Sequence, residues 1–237
     1  METLPLLISL VPTFVLLGLV GVFCLRDHMG PVIGVGVAVG VFVCIPVYLM
    51  ETVIEDFGAG LPGLYERAFV QQVLGASVSE ELAIFAGFVL TFRLFQKTRV
   101  KSEREVVAAA VAVAIGFTTI ENVTAVIASQ TPMSTAVSRL LSIVAGHASL
   151  QLMMGYFASK FLMGNGKRLW YGCLVFIVPI TVHGWGDFSE AVFQAVDADS
   201  PQSQWFFSAW IFGVFAYIAG AAIVLFKLND PKAAAWH

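Results

Sequence analysis

The sequence contains few charged residues: Asp, Glu, Lys and Arg make up 12% of its 237 residues. Soluble domains carry about 25% charged residues, so this composition argues against a water-soluble protein. The formal net charge is -3, which provides no positive field for a nucleic-acid partner. Hydrophobic residues make up 58% of the chain, and its mean hydropathy is +0.85. These values predict an integral membrane protein that lies in a lipid bilayer.

Cysteine is also scarce. Cys24, Cys44 and Cys173 lie in separate apolar stretches without CxxC spacing, which argues against a disulfide framework or a thiolate metal site. We interpret them as buried small hydrophobic residues. The short alternating segments of a membrane β-barrel are absent as well, and the apolar runs instead approach or exceed the roughly 20 residues of a membrane-crossing helix. The start of the chain lacks a basic segment, so the first run is predicted to be a retained helix and not a cleaved signal peptide.

These runs predict an all-α, polytopic membrane helix bundle with about seven transmembrane helices, forming one transmembrane domain over residues 1–237. The predicted spans are residues 4–25, 31–50, 68–95, 105–128, 137–163, 169–193 and 205–228. Residues 51–67 are polar and interrupted by Gly and Pro, which indicates an interfacial loop with a short helix. Gly34, Gly36 and Gly40 in the second span predict close contact with another helix.

Basic residues give the orientation of the bundle. They concentrate in the loops after the first, third and fifth spans and after the seventh span: Arg26, Lys97, Arg99, Lys101, Arg104, Lys167, Arg168, Lys227 and Lys232. Because loops rich in Lys and Arg stay in the cytoplasm, the N-terminus is predicted outside and the C-terminus inside.

Two adjacent carboxylates, Glu80 and Glu81, interrupt the third span. A charged side chain at the bilayer centre costs about 2.5–3.5 kcal/mol on insertion scales, so a pair of them indicates a function. Adjacent residues on a helix differ by about 100° in direction. One carboxylate can therefore face a cavity while the other contacts a neighbouring helix. The alternative is a purely structural polar contact between helices.

Three later spans carry further polar groups: Glu121, Asn122, His147, His183 and Asp187. With the predicted orientation and a rise of about 1.5 Å per residue, these groups share one layer with Glu80 and Glu81, between the membrane centre and its outer face. Each also has a structural interpretation. Glu121 could reach water at a helix end, His147 could bond within the bundle, and His183 with Asp187 could form a bridge between positions i and i+4.

Together the groups favour a hydrolytic centre, by one of two mechanisms. Glu121, His147 and His183 could bind zinc, which activates water. Alternatively Glu80 or Glu81, with Glu80 preferred, could activate water directly while His, Asn122 or Asp187 stabilises the oxyanion. The sequence leaves both mechanisms open.

The order of these motifs resembles the PrsW family of intramembrane proteases. The motifs are Glu-Glu, then Phe-x-x-x-Glu-Asn ending at Asn122, then His147, then His-Gly-x-x-Asp ending at Asp187. The resemblance covers about residues 79–187. It implies an intramembrane endopeptidase of a prokaryotic plasma membrane, with its catalytic core at about residues 68–190. The implied substrate is a membrane-anchored protein, such as an anti-sigma factor, cleaved near the outer face. The family pattern usually continues Glu-Glu-x-x-Lys, whereas this chain has Ile84.

Two other functions remain as alternatives. A proton-coupled transporter could use intramembrane Glu and His as a relay, but broken helices and repeat symmetry would then be expected, and the sequence shows neither. A non-catalytic membrane scaffold could keep the bundle and bind a partner. The full set of polar groups favours the protease.

Overall fold

The computed structural model describes residues 3–24, 29–164 and 166–229, without the side chains of residues 19, 21–24 and 141–145. Arg26, Lys232 and the side chain of Cys24 therefore lie outside the described residues. The described chain is helical and has no strand, which confirms the all-α prediction. Its helices are α1 (Thr3–Cys24), α2 (Gly30–Ala59), α3 (Leu64–Ala68), a π-helix (Phe69–Val78), α4 (Ser79–Phe95), α5 (Glu103–Ala128), α6 (Pro132–Ala145), α7 (His147–Met163), α8 (Arg168–Ala195) and α9 (Pro201–Asn229).

Within the described residues, five helical segments are long and apolar enough to cross a membrane: Gly30–Ala59, Leu64–Phe95, Glu103–Ala128, Arg168–Ala195 and Pro201–Asn229. The second of these runs without interruption through α3, the π-helix and α4. Large apolar side chains such as Phe42, Phe212 and Phe226 are exposed on the outer faces, as expected for helices that contact lipid. The predicted count of seven spans stays a prediction.

Two predicted element boundaries are wrong. Residues 51–59 are not a loop, because α2 continues to Ala59. The apolar residues Val53, Ile54 and Phe57 keep the helical period there, so the connection shortens to residues 60–63. The predicted span 137–163 is instead broken, because α6 ends at Ala145 and α7 begins at His147. Gly146 between them has φ -81° and ψ -103°, outside the helical range.

α5 lies at the centre of the bundle, with a continuous buried stretch from Glu105 to Thr118. It crosses α2 at very short range, because a Cβ added at Gly40 would lie 2.0 Å from the Val113 carbonyl oxygen. A Cβ at Gly36 would lie 2.8 Å from the Ala112 Cβ. The predicted helix contact is therefore confirmed for these two glycines. It is wrong for Gly34, where an added Cβ would meet only open space.

The interpretation of the cysteines as buried small hydrophobic residues holds only in part. Cys44 is half-buried, and its thiol lies 3.4 Å from the Phe117 carbonyl oxygen, across the contact between α2 and α5. Cys173 is exposed, since it lies on a face of α8 that the bundle does not cover.

Candidate functional site

Four helices converge where the predicted polar residues lie. Glu80 and Glu81 occupy the first turn of α4, directly after the π-helix. Helix α8 packs on that π-helix, with Gly184 facing Val73 and Ser77. This close approach brings the carboxyl-terminal half of α8, which carries His183 and Asp187, beside the two glutamates.

Glu80 faces two imidazole rings. Its Oε2 lies 3.7 Å from His147 Nε2 and 3.9 Å from His183 Nε2. The two rings are perpendicular, with centroids 4.9 Å apart. His147 is the first residue of α7, so the helix break at Gly146 places its ring at the start of a helix, in the middle of the bundle. Glu80, His147 and His183 are all buried and each offers one ligand atom, and these atoms lie within 4.8 Å of one another.

Glu81 has a partner at each of its two carboxylate oxygens. Its Oε1 lies 3.0 Å from His183 Nδ1, and its Oε2 accepts a 2.7 Å hydrogen bond from Gln151 Nε2. Glu81 and Gln151 are completely buried. The two neighbouring glutamates therefore have different surroundings, as the 100° offset on a helix predicts.

Glu121 and Asp187 flank the two imidazoles. Glu121 Oε2 lies 3.0 Å from His147 Nε2, while its Oε1 pairs with the guanidinium of Arg139. Asp187 Oδ2 lies 3.1 Å from His183 Nε2, at the predicted i, i+4 spacing. Asp187 is about one-third exposed, so it lies at the rim of the cluster.

The side chain of Asn122 makes its hydrogen bond outside the cluster. Its side-chain amide donates to the Ser9 carbonyl oxygen of α1 at 3.4 Å, and its Oδ1 has no hydrogen-bond partner. The structure thus brings together six of the seven predicted site residues: Glu80, Glu81, Glu121, His147, His183 and Asp187.

The donor set fits a divalent metal ion. Glu80 Oε2 is buried without a hydrogen-bond partner, between two imidazole nitrogens. A carboxylate and two histidines are zinc ligands, and this number leaves a coordination position open. The prediction named Glu121 with the two histidines, whereas the group that lies at ligand spacing contains Glu80. Glu121 as a ligand stays a prediction.

Three residues near the cluster were not among the predicted site residues. Gln151 bonds to Glu81, Arg139 pairs with Glu121, and the Glu51 carboxyl lies close enough to Glu80 to interact with it. The sequence carries a signal for each of them. Arg139 is the charged residue of an otherwise uncharged helix, α6, and Glu51 interrupts an apolar helix that continues past it. Gln151 follows His147 by four residues and so shares its helix face.

Comparison with known proteins identifies the family of the chain. Residues 30–219 match the model of the PrsW family, described as intramembrane metalloproteases. Two similar proteins carry the name Protease PrsW. The one from Geobacillus kaustophilus (strain HTA426) is 25% identical over 145 residues, which cover 61% of this chain and 60% of that protein. The one from Clostridioides difficile (strain 630) is 25% identical over 154 residues, which cover 63% of each.

The chain thus spans about three-fifths of the length of these curated relatives. No solved structure matches it. The matched region includes the whole polar cluster, from Glu80 to Asp187, together with α2 and most of α9. By this match over most of its length, the chain belongs to the PrsW family of intramembrane metalloproteases.

Proposed function

We propose that this protein is an intramembrane endopeptidase that hydrolyses a peptide bond of a membrane-anchored protein. The observation that carries the proposal is the buried group formed by Glu80, His147 and His183, in which Glu80 Oε2 has no hydrogen-bond partner. A buried carboxylate oxygen without a partner is costly, so its retention argues for a ligand or substrate at that position.

In this proposal Glu80 either helps to hold the metal that activates the water or, without metal, activates the water itself. Its free oxygen faces both imidazoles, whereas both oxygens of Glu81 are already engaged. Without metal, His147 Nε2, which lies near the carboxylates of both Glu80 and Glu121, can take a proton from one and return it to the other. Glu80, His147 and His183 would hold a zinc ion, which would supply Lewis-acid polarisation of the scissile carbonyl. Without zinc, the same groups support water activation by Glu80 as a general base.

Glu81 and Asp187 orient His183. An ionised carboxylate can only accept, so Glu81 takes a hydrogen bond from Nδ1–H and directs Nε2 towards Glu80 and Asp187. A carboxylate behind an imidazole fixes its tautomer and raises the basicity of the other nitrogen. Asp187, at the exposed rim, is then the group closest to incoming water.

The proposed setting is a prokaryotic plasma membrane, with seven spans, the N-terminus outside and the C-terminus inside. The catalytic core is residues 68–190 of one domain. In this orientation the cluster lies in the outer half of the membrane, which suits cleavage of a substrate such as an anti-sigma factor near the outer face. The substrate must unwind locally, because a helical peptide bond is shielded by its own backbone hydrogen bonds.

One observation supports the transporter alternative: the helix is broken at Gly146, and broken helices are common in transporters. The family match outweighs it. A non-catalytic scaffold would leave the free oxygen of Glu80 unexplained.

The test is metal content and cleavage measured on the same detergent-purified protein. We expect about one zinc per chain, lost in the His147→Ala/His183→Ala double variant, and cleavage of a membrane-anchored reporter. Glu80→Gln should lower the rate by at least about 100-fold, the usual contribution of a general base. The control is Glu55→Gln on the exposed side of α2. Cleavage without metal would assign water activation to Glu80 alone. Protein that neither binds metal nor cleaves the reporter would contradict the proposal.

A further inference from the structure

The charged residue of α6 contacts the polar cluster from the far side of the helix break. The sequence of residues 132–145 contains one charged residue, Arg139. Its Nη1 pairs with Glu121 Oε1. The other oxygen of Glu121, Oε2, lies 3.0 Å from His147 Nε2. One carboxylate on α5 thus joins a guanidinium on α6 to an imidazole on α7.

This arrangement divides the two oxygens of Glu121 between two partners. A carboxylate held at one oxygen by a charge-assisted hydrogen bond has little freedom to rotate. The orientation of Oε2 towards His147 therefore depends on Arg139. Without the guanidinium, Glu121 would be free to turn away from His147 towards the water that reaches its partly exposed side chain.

The Arg139–Glu121 pair links α6 to the cluster where the helix is interrupted. Gly146 interrupts the backbone between α6 and His147, so the helix itself does not rigidly transmit the position of α6 to the imidazole. The Arg139–Glu121 pair spans this interruption through side chains. It also places a permanent positive charge beside a cluster rich in carboxylates, where it acts on Glu80 and Asp187 as well as Glu121.

A purely structural ion pair is the competing explanation. The Arg139 side chain is 34% exposed, and ion pairs that water reaches usually contribute little to stability. The pair is therefore better explained by what it does to Glu121 than by what it adds to the fold. The contact between Glu121 Oε2 and His147 Nε2 is the feature that a structural pair would not require.

We propose that Arg139 is a positioning residue that fixes Glu121 against His147 and so holds this imidazole in register with Glu80. The inference rests on the proposed peptidase function. Arg139 itself does not touch the reacting atoms in this proposal. A lysine at 139 would keep the charge and part of the contact, whereas glutamine would lose the charge.

The experiment is a double-mutant cycle on cleavage of the membrane-anchored reporter, with kcat and KM determined separately. We expect Arg139→Gln to lower kcat about tenfold, equivalent to roughly 1.4 kcal/mol in the barrier, and to change KM less than about twofold. Arg139→Lys should recover most of the rate. In a Glu121→Gln background, which cannot hold an ionised pair, Arg139→Gln should add less than about a twofold loss.

Arg93→Gln, an exposed arginine in the last turn of α4, is the matched control and should keep the wild-type kcat. Thermal unfolding of every variant separates positioning from loss of fold. The inference is overturned if Arg139→Gln cleaves as the wild type does, if its effect persists in the Glu121→Gln background, or if the rate loss follows a loss of thermal stability. An inactive wild-type protein would instead contradict the proposed function, whereas an Arg139→Gln variant that cleaves as well as an active wild type would contradict this inference alone.

Discussion

Glu81 Oε1 lies 3.0 Å from His183 Nδ1, and this contact separates the roles of two adjacent glutamates. Because Gln151 occupies the other oxygen of Glu81, this side chain has no free oxygen for water. Glu80, one position earlier, keeps an unpartnered Oε2 between two imidazoles. Neighbouring residues in the sequence thus present one occupied and one available carboxylate to the same cluster.

Glutamine at these two positions should have different effects on the free energy of unfolding. Glu81→Gln replaces an acceptor by an amide that cannot satisfy both partners, and should cost about 1–3 kcal/mol. Glu80→Gln removes a buried charge whose Oε2 has no hydrogen-bond partner, and its amide can still bond to the Glu51 carboxyl, so the thermal midpoint should stay the same or rise. Both should lose peptidase activity. Thermal unfolding in detergent measures the difference. Equal destabilisation by the two substitutions would contradict the assignment of the free oxygen to Glu80.

Removal of the Gln151 amide should destabilise the protein through Glu81. Gln151→Leu leaves a buried carboxylate oxygen without its donor, which should cost about 1–3 kcal/mol of unfolding free energy. The matched control is Gln194→Leu, because Gln194 donates to Glu190 at the exposed surface of α8. That control should change stability by less than about 0.5 kcal/mol. If both variants lose the same free energy of unfolding, the buried hydrogen bond to Glu81 does not stabilise the fold.

The contact between α2 and α5 should tolerate no side chain at Gly40. An added Cβ would lie 2.0 Å from a backbone oxygen of α5, so Gly40→Leu must separate the helices and should cost more than the roughly 1–3 kcal/mol of ordinary overpacking. Gly34→Leu is the control on the same helix, because its added Cβ meets open space. Yield and thermal midpoint in detergent check the pair. A Gly40→Leu protein with the wild-type yield and thermal midpoint would show that the helices do not approach this closely.

Single cysteines should report the orientation of the bundle. In a variant with Cys24, Cys44 and Cys173 replaced, Ala198→Cys lies in the exposed connection before α9 and should react with a membrane-impermeant thiol reagent in intact cells. Thr98→Cys, in the exposed connection before α5, should react only after permeabilisation. The reverse labelling pattern would place the N-terminus inside and the polar cluster in the inner half of the membrane.

Much of the site could be predicted from the sequence because intramembrane charge is rare and therefore informative. Glu80, Glu81, Glu121, His147, His183 and Asp187 were recognisable as ionisable residues in apolar runs, and they do converge. Asn122 is predicted as a donor to a substrate oxygen, yet its amide bonds to α1. Adjacent positions on α5 face different neighbours, and sequence spacing alone does not identify which neighbour each will meet.

Two helix boundaries were predicted wrongly, and each error has a local cause. Polar residues at the end of α2 suggested a loop, but a helix at a membrane interface accepts polar residues as long as its apolar period continues. The helix break at Gly146 is not predictable from the sequence, because a single glycine inside an apolar run usually costs a helix only about 1 kcal/mol. The surrounding helices determine whether the chain bends there.

The sequence by itself determined that this chain is a membrane-embedded helical protein with ionisable residues inside its apolar runs, since composition and the length of apolar runs reflect transfer into lipid and do not depend on packing. It also determined the order of the motifs that mark the family. Only the tertiary structure decided that Glu80 and not Glu81 has a free oxygen, and that Arg139 reaches Glu121. These features depend on contacts between different helices, and such contacts follow from how the helices cross and rotate in the packed bundle.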